Sequence, residues 1–270
     1  MSKTRHRLPQ GDEHLLTRSY AVTHPPNLGI PERRYRDWDQ LAFASQGVMT
    51  VATRDGLWVV PPHRAVWIPA GASHSVRTSG RVTLRTLYLR PALSRGRLPR
   101  TCVALNVSPL VRELVLHATA RNTLRRDSAA DRRLVHVLVD QLATLGHVPL
   151  QLPVPVDPRA RRAADLVQQS PRLPLTALAR AVGASARTLE RAFQRETAMP
   201  LGRWRRRARL VEALRRLAEG APVTAVALDV GYQTPSAFVA AFRRELGMTP
   251  GRYFAGNRAR SQGRGHGGSS

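Results

Sequence analysis

Two stretches of the chain, "LARAVGASARTLERAFQRETAMP" at 178–200 and "VALDVGYQTPSAFVAAFRRELGMTP" at 226–250, follow one plan, and that repetition restricts the fold more than any other feature. In each, an apolar stripe at helical spacing runs into a glycine: Leu175, Leu178, Ala179 and Val182 lead to Gly183, and Val223, Val226, Ala227 and Val230 lead to Gly231. A glycine at that place lets the chain leave the helix through a left-handed conformation. Ser185 or Thr234 then caps a second helix, and Pro235 suits its first turn. The second helices bury Leu189 with Phe193, and Phe238 with Phe242, each pair one helical turn apart. Helix, glycine turn, helix is the plan of a helix-turn-helix unit. Two ordinary hairpins of a helical bundle are the plain alternative, since Gly-turned helix pairs are common. Two copies in a basic segment count against it.

The intervening "PLGRWRRRARLVEALRRLAEG" reads as one helix of roughly 18 residues, about 27 Å long at 1.5 Å per residue. Held on such a rod, two recognition helices can enter successive major-groove turns about 34 Å apart. Charge agrees with a polyanionic partner, nucleic acid or an anionic membrane surface: 43 Lys+Arg stand against 18 Asp+Glu, a formal net charge of +25. Only Lys3 is a lysine, an arginine bias of the kind a GC-rich genome would produce by codon usage alone, so the sign of the charge carries more information than its size.

At 270 residues the chain fits two domains. Residues 1–32, with Pro9, Pro25, Pro26 and Pro31, read as an N-terminal arm with little structure of its own. From Leu41 to Leu89, short runs rich in Val, Thr, Leu and Trp alternate with turn signals ("RDG", "PP", "PAG", "SG"), the pattern of an all-β barrel or sandwich. Two helices follow between Ser108 and Gly146. Leu110, Leu114 and His117 fall on one face of the first, and Leu134, Val135, Leu138, Val139 and Leu142 form a stripe on the second that fits either the barrel or another subunit. The strand-rich region with its two trailing helices is thus 33–146, the proline-rich 147–158 a linker, 159–254 helical, and the Gly-, Ser- and Arg-rich 255–270 a disordered tail. The fold class is multidomain α and β. The single Cys102 excludes an intrachain disulfide and a Cys-rich zinc motif, and reads as a small buried thiol. No run reaches the roughly 20 apolar residues of a membrane span, and the start carries no signal-peptide core, so the expected location is the cytoplasm, with no membrane partner.

The spacing of the repeat, and above all "AVALDVGYQTPSAFVAAFRRELGMTPGRYF", resembles the AraC family of bacterial transcription regulators over about residues 159–254. The resemblance implies two helix-turn-helix units joined by a long helix, with a sensing or dimerising domain elsewhere. Its implied partners are operator DNA, a small-molecule effector, RNA polymerase if the chain activates, and a second copy of the chain. On the first recognition helix, burying Leu189 and Phe193 turns Arg187, Glu190, Arg191 and Gln194 outward, with chemistry suited to guanine, cytosine and adenine edges. The matching face of the second, Ser236, Ala237 and Ala240, offers little hydrogen bonding and suits thymine methyls. Arg243 and Arg244 suit phosphates there, while Ser185 and Thr234 sit at the two helix starts. Arg203, Arg205, Arg206 and Arg207 read as phosphate-facing or solvated.

"DWDQLAFASQGVMTV" and "GLWVVPPHRAVWIPAGASHSVR" resemble the cupin-type sensor domain of one branch of that family, over about residues 30–92. Metal-binding cupins place His-x-His, a Glu and a Gly in their first motif and Pro-x-Gly-x-x-His in their second. Those places here hold Arg34, Arg36, Gln40 and Gly47, then Pro69, Gly71 and His74. Arginine offers no lone pair to a metal, so the frame stands without its ligands, and no cofactor is expected. His63 and His24 are the other histidines that could join His74. The same positions with Trp38 and Trp67 form a candidate effector pocket: Arg34, Arg36, Trp38, Gln40, His63, Trp67 and His74, suited to a small molecule bearing a carboxylate or phosphate. Trp58 offers a further apolar wall. The competing reading puts the arginines in solvent and makes the barrel a dimerisation or regulatory platform. Two other functions compete with a transcription regulator. A cupin-type metal enzyme with a helical appendage lacks its ligand set and any nucleophile arrangement to replace it. A sequence-neutral DNA binder driven by charge suits the basic tail but not a defined double recognition unit.

Overall fold

The first half of the chain is one antiparallel sheet organised by two unusually long strands. The fold is that of a computed structural model in which residues 12–62, 64–146 and 151–258 are described. The strands are β1 (Leu15–His24), β2 (Gly29–Arg34), β3 (Asp39–Thr53), β4 (Gly56–Val60), β5 (Arg64–Ile68) and β6 (Ser73–Leu89), with the short α1 (Pro91–Ser94), then β7 (Val103–Asn106). Next come α2 (Pro109–Ala120), β8 (Thr123–Arg125), α3 (Ala129–Ala143) and β9 (Gln151–Leu152). β3 and β6 have 15 and 17 residues, about three times the usual strand length. They pair along their whole lengths, from Asp39 opposite Leu89 to Thr53 opposite His74, and change register twice between Ala44 and Val48. Gly47 sits at that irregularity with φ +77°, and a Cβ there would land on the Arg81 carbonyl oxygen. The bulge lets both strands bend and serve the two halves of the sheet.

The hydrogen-bonded order is β7-β5-β3-β6-β1-β8, with β2 on β6 and β4 between β3 and β9. No bond joins the two ends of that path among the described residues, so the expected barrel is an open antiparallel sheet. The segment expected as an unstructured arm is also different. Its described part carries β1, fully paired with β6 from Thr17 to His24, and β2 on the other flank of β6. Leu15 and Leu16 are buried, so this strand is held by apolar contact; Pro25 and Pro26 lie beyond its end, and Pro31 sits where β2 shifts register.

Each face of the sheet has its own cover. Leu41, Phe43, Trp67, Leu87 and Leu89 point toward α2 and α3, whose Val111, Val115, Val135, Leu138, Val139 and Leu142 complete that core. The α3 stripe therefore belongs to the sheet. In α2 the buried face is Val111, Val115 and Ala118, while Leu110 is 52% exposed and His117 is exposed, one residue out of phase with the spacing read from sequence. Ser108 and Ser128 cap the two helices, accepting from Val111 N at 3.2 Å and Asp131 N at 3.2 Å.

The second half is helical: α4 (Pro158–Gln169), α5 (Leu175–Ala181), α6 (Ala186–Thr197), α7 (Leu201–Ala218), α8 (Val223–Asp229), α9 (Pro235–Leu246) and α10 (Pro250–Arg258). The segment expected as a linker is fastened where it is described. β9 pairs with β4, the Pro153 carbonyl accepts from Trp204 Nε1 at 2.7 Å, and Glu196 accepts from the Val156 and Asp157 amides, both at 2.8 Å. Asp157 caps α4 with Pro158 at its first turn. α10 runs past the expected end of the helical region at 254, and the remainder of the expected tail, 259–270, lies outside the described residues.

Two apolar cores organise these helices. Ala160, Ala164, Leu178, Leu189, Phe193, Leu201 and Trp204 enclose one. The other joins Leu210, Leu214, Leu217, Val226, Phe238, Phe242 and Tyr253 to Val48, Met49, Val51, Trp58 and Val82 of the sheet. The face of the sheet not covered by α2 and α3 is thus covered by the second half of α7 and its neighbours.

Candidate nucleic-acid interface

The two repeats fold into the same local structure. In the first, Gly183 has φ +62°, its amide donates to Arg180 O at 3.2 Å, and the next amide, of Ala184, donates to Ala179 O at 3.1 Å. In the second, Gly231 has φ +91°, its amide donates to Leu228 O at 3.0 Å, and that of Tyr232 donates to Ala227 O at 3.0 Å. This paired return of two amides to the last turn is the Schellman helix end that the glycines make available. Ser185 then accepts from Thr188 N at 3.0 Å to start α6, and Thr234 from Ala237 N at 3.2 Å to start α9.

Burial fixes which faces remain. Leu189, Phe193, Phe238 and Phe242 are all 1% exposed or less. Ser185, Arg187, Glu190, Arg191 and Gln194 are exposed in the first unit, and Thr234, Ser236, Ala237, Ala240, Arg243 and Arg244 in the second. Arg187, Glu190, Arg191 and Gln194 make no hydrogen bond or ion pair to protein among the described residues, so α6 presents two guanidiniums, a carboxylate and an amide to solvent.

The arginines of α7 separate into two kinds, which sequence alone did not reveal. Arg205 donates to the Leu173 carbonyl, and Arg207 donates to Gln151 O at 3.2 Å; both are half-buried, and burial pulls both guanidiniums below their usual pKa. They are ties rather than the phosphate-facing or solvated groups expected. Arg203 and Arg206 are exposed. Further along, Arg209 donates to Pro171 O at 3.1 Å and Gly231 O at 3.3 Å, and Arg172 donates to Leu228 O at 2.7 Å, so α7 clasps the turn of the second unit. Arg205, Arg207 and Arg209 sit in a run of arginines whose pattern is uniform, and only the three-dimensional placement of the carbonyls sorts them.

The expected effector set is not brought together. Arg34 and Arg36 are exposed. Trp67 is buried toward α2 and α3, opposite Leu41, and its Nε1 donates to Pro99 O at 3.0 Å. Gln40 lies one residue on and therefore faces the other way, opposite Ile68 and Tyr88. Trp38 is buried with Leu15 and Tyr88, under the Arg90 guanidinium at 4.2 Å from its ring. His63 lies outside the described residues. His74 is buried, 6.0 Å from the Tyr35 ring, which is itself 5.0 Å from Tyr88. Burial lowers its pKa below the ordinary histidine value, so the ring is neutral at pH 7. The structure thus gathers Gln40, Tyr35, Tyr88 and His74, leaves out Arg34 and Arg36, and puts Arg33 beside them, donating to the Tyr35 hydroxyl at 3.5 Å. Among the described residues no group of three or more His, Cys, Asp or Glu could hold a metal ion. Cys102 is buried, which pushes its thiol up to about 11. Among the described residues no helix is long and apolar enough to cross a membrane.

The repeated unit matches a known pattern: a family model described as a helix-turn-helix domain fits residues 178–256. The HTH-type transcriptional regulator NimR of Escherichia coli is 37% identical over 219 residues, 80% of this chain and 79% of the relative. RipA of Corynebacterium glutamicum, also an HTH-type transcriptional regulator, is 34% identical over 106 residues, covering 38% of this chain and 32% of the relative. Among solved structures, ToxT of Vibrio cholerae aligns over 89% of this chain and 98% of its own at 8% identity and a TM-score of 0.38. Repeat geometry and domain match define the class as a helix-turn-helix DNA-binding protein. The chain belongs to the AraC family of transcription regulators.

Proposed function

We propose that the chain is a sequence-specific regulator that grips an operator with α6 and α9 in adjacent major grooves and in which the sheet half responds to a small effector or holds a second copy. The observation that supports it is the pair of identically built turns with an unpartnered polar face on α6. Arg187 and Arg191 suit guanine O6 and N7, Glu190 suits cytosine N4, and Gln194 suits adenine. The Ser236, Ala237 and Ala240 face suits thymine methyls, with Arg243 and Arg244 on phosphates. Base reading is then concentrated in one half of the operator. RNA polymerase is a partner if the chain activates, and the place of action is the cytoplasm. For the effector we assign Gln40, Tyr35, Tyr88 and His74. The Gln40 Oε1 is buried and takes no hydrogen bond in the sheet, which makes it an acceptor awaiting a donor.

The test is selection of bound duplexes from a random-sequence pool by the full chain, repeated with Arg191→Ala. One enriched sequence is expected, and the variant relaxes one position of it at a cost of about 1–3 kcal/mol. No enrichment would refute sequence-specific regulation. A uniform loss across all sequences would assign Arg191 to phosphate.

A further inference from the structure

The first half of α7 and the last turns of α9 enclose an open cleft of about 460 Å³, with Arg203, Arg206, Arg207, Tyr232, Arg244 and Glu245 among its walls. Four guanidiniums meet one carboxylate there, and that carboxylate lies 3.8 Å from Arg244. Arg207 is turned to a backbone carbonyl, as above. Arg203 and Arg206 have no acceptor in the protein among the described residues and project from exposed positions. A concave site with excess like charge concentrates field, and an anion relieves it.

The position of the cleft says which anion. Its α9 wall, Ala241 and Arg244, continues the exposed face begun by Ala237, at spacings of four and three residues. Its α7 wall starts directly after the short connection, 198–200, that ends α6. The cleft therefore lies beside the second recognition helix, on the helix that links it to the first. A duplex that places successive major grooves on α6 and α9 has to carry its sugar–phosphate backbone across the scaffold between them.

We infer that this cleft seats a backbone phosphate of bound DNA, with Arg203 and Arg206 as its donors and Arg244 completing the charge. The assignment rests on the DNA-binding reading and adds to it a sequence-independent anchor on the connecting helix, separate from the bases. It also divides labour along α7: Arg203 and Arg206 hold the duplex, while Arg205, Arg207 and Arg209 hold the protein.

The experiment is a titration of the full chain and its Arg203→Gln/Arg206→Gln variant against two duplexes, one selected by the wild type and one of random sequence, across a salt series. Each lost phosphate contact reduces the slope of log affinity on log salt by about 0.9. Two lost contacts lower it by about 1.8, so the affinity change between about 50 and 200 mM salt shrinks roughly twelvefold, for both duplexes alike. The preference for the selected duplex stays intact. Neutral methylphosphonates between the two half-sites should weaken the wild type and leave the variant unaffected. An unchanged slope with normal sequence preference would overturn the cleft and spare the regulator. Failure of the wild type to bind any duplex would overturn both. Matching circular dichroism and melting curves show that the variant is folded, as expected for two exposed side chains with no protein acceptor.

Discussion

Replacing Gly183 and Gly231 in turn by alanine separates backbone strain from crowding at two positions that the repeat makes equivalent. Both have positive φ, +62° and +91°. A Cβ in that region costs about 1–2 kcal/mol. At Gly183 the new methyl meets nothing within 4 Å, so strain is the whole cost, about 1 kcal/mol. At Gly231 it comes 3.3 Å from both Arg172 Cγ and Arg209 Cζ. Arg209 holds the Pro171 and Gly231 carbonyls at 3.1 and 3.3 Å, so moving it strains two charged hydrogen bonds. Such bonds are worth about 1.5–3 kcal/mol each when fully formed. Partial loss at a half-exposed site adds about 1–2 kcal/mol, for a total of about 2–3 kcal/mol. The assay is urea unfolding followed by helical circular dichroism, on both single variants and on Gly231→Ala in an Arg209→Ala background. The excess cost at Gly231 should shrink by at least half once Arg209 is gone, because the two sites are in contact and their effects are not additive. Equal costs at the two glycines, or an excess that survives removal of Arg209, would refute the account of α7 as a clasp on the second turn.

Two further outcomes follow from burial. His74 is lowered in pKa by desolvation, so the unfolded chain takes up a proton that the folded one resists. Its contribution is complete above about pH 6.5 and is lost as the pH falls through the lower, folded value. The denaturation midpoint should therefore drop from pH 7 to pH 5 more steeply in the wild type than in His74→Gln, and superimposed profiles would contradict this. Leu214→Ala and Leu189→Ala remove the same atoms from two different cores, at about 2–5 kcal/mol each. Hydrogen exchange should speed up in β6 for Leu214→Ala alone; acceleration in both, or neither, would contradict the division of the cores.

The helical half was largely legible because its signals are local. Glycine, cap and paired apolar residues determine a turn within about ten positions, and the two copies reinforce each other. The sheet half was legible in kind but not in closure. Strand spacing identifies strands, whereas an open or closed edge depends on how β7 and β8 stand to one another, and nothing nearby in sequence encodes that. β1 was hidden by neighbouring prolines, of which Pro25 and Pro26 lie just beyond its end. The effector set failed for a sharper reason. Motif spacing transferred from a family places residues on a frame, but the two-residue alternation of a strand decides the face, and Gln40 and Trp67 fall on opposite sides. The arginines of α7 were visible as a basic run, while their division into anchors and ties depends on carbonyls more than 20 residues away.

The unequal partition of the cores bears on how such a regulator can be rebuilt. The first recognition unit closes its core mostly within residues 160–208, while the second completes its own with Val48, Met49, Val51 and Val82 of the sheet. A chimera made by cutting at the proline-rich segment and attaching another N-terminal domain would leave the first unit nearly whole but strip one wall from the second. Exchange of modules in this protein is therefore a matter of matching a surface rather than joining two ends: a donor sheet has to supply side chains complementary to Leu210, Leu214 and Leu217 to close the core that holds α9.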